Sequence, residues 1–114
     1  MSHSPPAGAT PVCEATRVQL DTGEKAQIEF TPEQSGTTFK APIVAVTRAN
    51  GTTYEIHADG TGRYDESPVP PSEPNHLSQC FIPSLEFEDS LTVTIRNVGD
   101  QIRTYTAQVV GWEE

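Results

Sequence analysis

Apolar and polar residues alternate in several separate runs of this chain, and that period of two limits what it can fold into. Ala26, Ile28 and Phe30 alternate with Gln27 and Glu29. Tyr54, Ile56 and Ala58 alternate with Glu55 and His57, and Leu91, Val93 and Ile95 with Thr92, Thr94 and Arg96. Successive side chains of a strand leave on opposite faces, so each run reads as a strand with one buried and one wet face. The longest run, 104–112, carries Tyr105, Ala107, Val109 and Gly111 on one face and Thr104, Thr106, Gln108, Val110 and Trp112 on the other. Residues 39–47 are nearly continuously apolar, as in a strand covered on both faces, with Pro42 at its start or at a bulge. Residues 17–20, 80–82 and 85–87 read as shorter strands. The segment 86–90 offers at most one helical turn, and no stretch shows helical spacing.

The turns agree with the strands. Asp21-Thr-Gly-Glu24, Asn50-Gly51, Asp59-Gly-Thr-Gly62 and Asn97-Val-Gly-Asp100 separate the runs, and Asn50-Gly51 predicts a hairpin with positive φ at both central positions. About eight short strands at this spacing predict an all-β fold, an antiparallel β-sandwich of jelly-roll or immunoglobulin-like type. At 114 residues the chain is one domain. Residues 1–12 read as an extended N-terminal arm, because 1–11 contain three prolines and almost no large side chain. Residues 13–114 form the sandwich. Within it, 65–76 hold four prolines and read as a stiff crossover between sheets.

Charge narrows the partners. Seven Lys and Arg against sixteen Asp and Glu give a net charge of −9, and only Lys25 and Lys40 are lysines. So acidic a chain is repelled by nucleic acid and by anionic lipid, so neither is an expected partner. No apolar run approaches the roughly 18–20 residues of a membrane span. The start of the chain lacks the basic and apolar segments of a signal peptide. Carboxylate-rich, lysine-poor surfaces stay hydrated in concentrated salt, which screens their self-repulsion, and an ordinary acidic domain is the other reading.

No constellation for catalysis stands out: there is no Gly-x-Ser-x-Gly, His-Glu-x-x-His, phosphate loop or Cys-x-x-Cys. The expectation is a non-enzyme without cofactor or metal. His57 is expected on the wet face of its strand, and Met1-Ser2-His3 is a remote chelating candidate. The carboxylates of Asp59, of Asp65 with Glu66, and of Glu86 with Glu88 and Asp89 read as solvated surface. Cys13 and Cys80 permit one disulfide pinning the arm to the sandwich; two reduced, packed cysteines are the alternative. Bulky groups on both faces of the last strand suggest burial on two sides, which makes Tyr105 and Trp112, with Pro5, Pro6 and Pro11 of the arm, candidate interface residues.

The stretch Asn50-Gly-Thr-Thr-Tyr-Glu-Ile56 followed by Asp59-Gly60, the proline-rich crossover, and the ending Tyr105-Thr-Ala-Gln-Val-Val-Gly-Trp-Glu113 resemble small virion proteins of haloarchaeal tailed viruses. That resemblance implies a homo-oligomeric β-sandwich on the exterior of a capsid or tail, assembled in the host cytoplasm with other virion proteins and without catalysis. The competing expectation is an extracellular carbohydrate- or receptor-binding module that stacks sugars on Tyr54, Tyr64 or Trp112.

Overall fold

The alternating runs form strands where the sequence places them, and the sheets they build are set by which faces need cover. The structure, a computed structural model, describes residues 9–34, 36–77, 80, 81 and 83–114. In chain order the strands are β1 (Thr10–Leu20), β2 (Lys25–Phe30), β3 (Phe39–Val46), β4 (Thr52–Ala58), β5 (Thr61–Ser67), β6 (Leu85–Phe87), β7 (Leu91–Asn97) and β8 (Arg103–Glu113). They form two four-stranded antiparallel sheets, ordered β1-β8-β3-β6 and β2-β7-β4-β5. The chain is therefore a β-sandwich, and this strand order is that of a jelly roll rather than of an immunoglobulin domain.

The inner faces are the apolar halves of the alternating runs. Ile28 and Phe30, Tyr54 and Ile56, and Leu91, Val93 and Ile95 meet Phe39, Val44, Val46, Phe87, Tyr105 and Val109 in one buried cluster. Phe39 and Phe87 stack across β3 and β6 with ring centroids 4.8 Å apart. Each such side chain removed from water contributes roughly 1.5–3 kcal/mol. At the edge of the core, Gly111 of β8 lies directly against β3. A Cβ there would overlap the Lys40 carbonyl oxygen and lie 2.9 Å from its carbon. The β3–β8 register shifts between Lys40 and Ile43, so Pro42 does sit at a bulge.

Several boundaries differ from the sequence reading. β1 begins at Thr10 rather than near Arg17, so residues 10–12, assigned to the arm, belong to the sandwich: Thr10, Pro11 and Val12 pair with Glu113, Trp112 and Gly111. The strand is hard to see because its inward positions include Glu14 and Thr16 beside Val12, Val18 and Leu20. β5 runs to Ser67, so the proline-rich crossover from the second sheet to the first starts at residue 68 rather than 65. Cys80 and Phe81 form no strand; both amides donate to the Pro42 carbonyl along the free edge of β3.

Asn50-Gly51 is not a hairpin. It lies between β3 and β4, which belong to different sheets, and only Gly51 has a positive φ (68°). The tight hairpin is Asp59-Gly60 between β4 and β5, with φ of 50° and 80°. Both central residues there are left-handed, as a type I′ turn requires.

Candidate functional site

The topology sorts the connections into two ends. β1–β2, β3–β4, β5–β6 and β7–β8 leave from one end, here called the loop end. β2–β3, β4–β5 and β6–β7 close the other, together with the start of β1 and the end of β8.

The second end is acidic. Glu14, Glu33, Glu88, Asp89, Glu113 and Glu114 lie there with Asp59 and Glu86, and Lys40 bridges Glu86 (3.0 Å) and Glu114 (2.6 Å). Two of these carboxylates are structural latches. Asp59, in the left-handed turn, accepts the amides of Glu88, Asp89 and Ser90 at 2.9, 2.8 and 3.0 Å. Burial would push its carboxyl up, but the three amides outweigh burial and hold it below the usual range. Glu113 is buried and accepts the amides of Glu33 and Gln34, both at 3.1 Å, and the Thr37 hydroxyl at 2.8 Å. Burial again opposes the shift, and the amides of Gln34 and Glu33 with the Thr37 hydroxyl win and lower it. Glu14 moves the other way. Desolvation raises its carboxyl first, then the charge of Glu33 and a shared hydrogen bond with it, then the charge of Glu113.

The buried layer of the loop end is held without charge, while at the exposed β1–β2 turn Glu24 accepts the Asp21 amide (2.6 Å) and Asp21 accepts the Thr22 amide (2.7 Å). Asn97 is fully buried; its amide donates to the carbonyls of Leu20 (3.1 Å) and Gln101 (2.8 Å), and its oxygen accepts the Gly99 amide (3.1 Å). The Tyr54 hydroxyl donates to Thr47 O and accepts the Ala49 amide. The hydroxyls of Thr52 and Tyr105 lie 2.6 Å apart. Outside this buried layer the surface is apolar in places. Val98 and Ile102 of the β7–β8 loop are 57% and 58% exposed, and Val69 and Leu77 of the β5–β6 connection are 47% and 45% exposed. Among the described residues these are the exposed large hydrophobic side chains, and both segments carrying them leave from the loop end. Between the segment after β3 and the β5–β6 connection an open cleft of about 280 Å³ is lined by Thr47, Arg48, Glu73, Pro74 and Asn75. Arg48 and Glu73 approach to 4.0 Å across it, a surface pair of little energetic weight.

The sites expected from sequence fare unevenly. Cys13 and Cys80 are free thiols. Cys13 is exposed on β1 and accepts from the Gln108 side chain, whereas Cys80 packs against Pro42 and Val44 on the far edge of β3. β8 and β3 lie between them, and at ~4.8 Å per strand the pair is well beyond disulfide reach. Tyr105 is 0% exposed and Trp112 7%, so the chain itself buries both, on opposite faces of β8 as read, and neither is an interface residue. The Trp112 indole N–H has no hydrogen-bond partner among the described residues. Pro11 lies within β1, while Pro5, Pro6, His3 and Ile82 fall outside the described residues. His57 does occupy the outer face of β4, where Gly62 lies beside its ring. Among the described residues no group of three or more His, Cys, Asp or Glu could hold a metal ion. Sequence reasoning missed the Asp59 and Glu113 latches, whose partners lie some 29–31 and 76–80 residues away in the chain.

No protein-family model matches the chain, nor does any curated protein. Among solved structures it is similar to a de novo designed double-stranded β-helix determined by solution NMR. That match has 19% identity and a TM-score of 0.36 and covers 89% of this chain and 99% of that one.

Proposed function

We propose that this chain is a non-enzymatic structural protein of a virion exterior, whose jelly-roll sandwich joins copies of itself and neighbouring proteins through its loop end. The observation that carries this reading is the separation of charge from exposed apolar surface. Val69, Leu77, Val98 and Ile102 sit on loop-end segments, whereas the carboxylates of Glu14, Glu33, Glu88 and Asp89 crowd the opposite end. Two copies of a chain with net charge −9 repel each other. They meet at lower electrostatic cost at the loop end, where Lys25, Arg48, Arg96 and Arg103 counter most of the charge of Asp21, Glu24, Glu66, Glu73 and Asp100 and where apolar surface is available to bury. The scarcity of lysine supports a salt-rich setting, in which a screening length of roughly 3 Å at 1 M removes the remaining repulsion.

Light scattering of the full chain at molar and at low salt tests the reading. The expected result is an oligomer at molar salt that dissociates as salt is lowered, and a monomer at both for the Val98→Asp, Ile102→Asp double variant. A monomeric parent chain at every salt concentration overturns it. The carbohydrate-binding alternative needs an exposed aromatic face. Tyr54 and Trp112 are buried and Tyr64 is half-buried with its hydroxyl on Val69 O, so no observation favours it.

A further inference from the structure

The loop end also carries an unassigned site of covalent change. The chain has three asparagines, Asn50, Asn75 and Asn97, and the structure places them in three different chemical situations. An asparagine loses its side-chain nitrogen when the amide nitrogen of the next residue attacks its side-chain carbonyl carbon, so the state of that attacking nitrogen decides which asparagine reacts. Asn97 is fully buried, its side-chain nitrogen is committed to two carbonyls, and the next amide, of Val98, donates to Gly51 O at 2.8 Å. Asn75 is exposed, but the next amide, of His76, donates to Glu73 O at 2.9 Å. Asn50 is exposed and followed by Gly51, also exposed, which has no side chain to screen its nitrogen. Neither the Asn50 side chain nor the Gly51 amide has a hydrogen-bond partner among the described residues.

We infer that Asn50 is a self-modification site, deamidating through Gly51, and that this gives the loop-end contact a chemical lifetime. Base removes the Gly51 amide proton, and the nitrogen bonds to the Asn50 side-chain carbonyl carbon. The bond from that carbon to the side-chain nitrogen breaks, ammonia leaves with the proton returned to it, and a five-membered cyclic imide remains. Water then opens the ring at one of its two carbonyls, leaving aspartate or isoaspartate. No electrons are exchanged with any other group. Either product adds a carboxylate to the loop end, and isoaspartate also lengthens the main chain by one methylene next to Gly51. Gly51 has no slack: a Cβ on it would lie 2.9 Å from Gly99 Cα, and its carbonyl holds the Val98 amide. The added charge and the displaced turn therefore reach the loop that carries Val98 and Ile102. This last step rests on the proposed loop-end contact; the ranking of the asparagines does not.

The experiment ages the full chain in mildly alkaline buffer at molar salt, maps its peptides by mass, labels isoaspartate with an isoaspartyl methyltransferase, and follows oligomer mass by light scattering. The Asn50→Ser chain, which needs no positive φ at that position, is aged in parallel. Conversion at Asn50 at least several-fold faster than at Asn75, with Asn97 intact, is expected. Equal rates, or a faster Asn75, overturn the site. The parent should lose oligomer in step with conversion while Asn50→Ser keeps it. Conversion at Asn50 without loss of oligomer overturns the coupling. If both chains are monomers from the outset, the loop-end contact and the coupling fall together, and the peptide map still decides the site.

Discussion

The β2–β3 and β6–β7 connections are fastened to the sandwich by ionised carboxylates, Glu113 and Asp59, each accepting three hydrogen bonds from loop groups. At the other end the same task falls, in the buried layer, to uncharged groups, the amide of Asn97 and the hydroxyl of Tyr54, with carboxylates at the exposed β1–β2 turn. Both solutions satisfy backbone groups that strand pairing leaves over. They differ in what can undo them. A charge-assisted bond is the stronger, but a proton abolishes it. A buried neutral amide is indifferent to pH over the range in which proteins work. A chain with sixteen carboxylates thus uses two of them to fasten two loops at its more acidic end, and fastens the buried layer of the loop end with neutral groups.

The largest expected effect tests whether pH sensitivity belongs to the latches alone or also to the strands beneath them. Gly111 lies at the acidic end but touches only backbone, so Gly111→Val should cost about 4 kcal/mol or more, or prevent folding, by driving Cβ into Lys40 and Ala41. In urea unfolding followed by circular dichroism, the loss should be the same at neutral and mildly acidic pH. A pH-dependent loss would mean that the strand pair itself is charge-coupled. Next in size, Asn97→Ala leaves two carbonyls and the Gly99 amide unmet in a buried site, an expected loss of about 3 kcal/mol. That loss too should be flat with pH; a slope would erase the contrast between the ends.

The latches themselves come third. Asp59→Asn and Glu113→Gln should each cost about 1–2 kcal/mol at neutral pH, because an amide offers the loop amides a weaker acceptor and a misplaced donor. For the parent chain the sign follows from the direction of the shifts. Both carboxyls lie lower folded than unfolded, so their stabilisation is present above the unfolded values of about 4 and is lost as pH falls through the folded ones. Hydrogen-exchange protection, taken relative to the intrinsic rate at each pH, should therefore fall at Glu33, Gln34 and 88–90 on acidification while Val98 and Gly99 stay protected. Simultaneous loosening of both ends would show that the sandwich opens as one unit and that the latches are not local.

The strands were largely readable and the latches were not, and the reason is range. Alternation is a property of neighbours, so β2, β4, β7 and β8 stand out in the sequence, while for Pro42 the sequence leaves the start of the strand and a bulge both open. β1 hides because an edge strand at a sandwich end tolerates Glu14 and Thr16 on its inner face. Asn50-Gly51 misled because a turn dipeptide specifies local backbone, not whether the next strand joins the same sheet. Asp59 looked like one surface carboxylate among many, and only the fold brings residues 88–90 over it. Trp112 looked like an interface residue because alternation assigns a face, while burial depends on what the rest of the chain lays across that face.

The smallest effect probes the one carboxyl at the acidic end that works against the fold. Glu14 is raised, chiefly by desolvation and then by Glu33 beside it, so its sign is opposite to that of the latches. Ionised Glu14 destabilises the folded state; the penalty is full above its folded pKa and vanishes as pH falls below its unfolded value. Glu14→Gln removes the charge and keeps a hydrogen-bonding side chain for Glu33. Glu14 is half-buried and solvent screens it in part, so the expected gain at neutral pH is under about 1 kcal/mol. The gain should shrink in molar salt, which screens Glu14 from Glu33 and Glu113, and should disappear in mild acid, where the parent has already taken up the proton. Thermal unfolding of the two chains across pH measures it. An equal gain at every pH would assign the effect to packing of the new side chain, and a loss at neutral pH would show that the Glu14–Glu33 contact holds β1 to the β2–β3 loop rather than straining it.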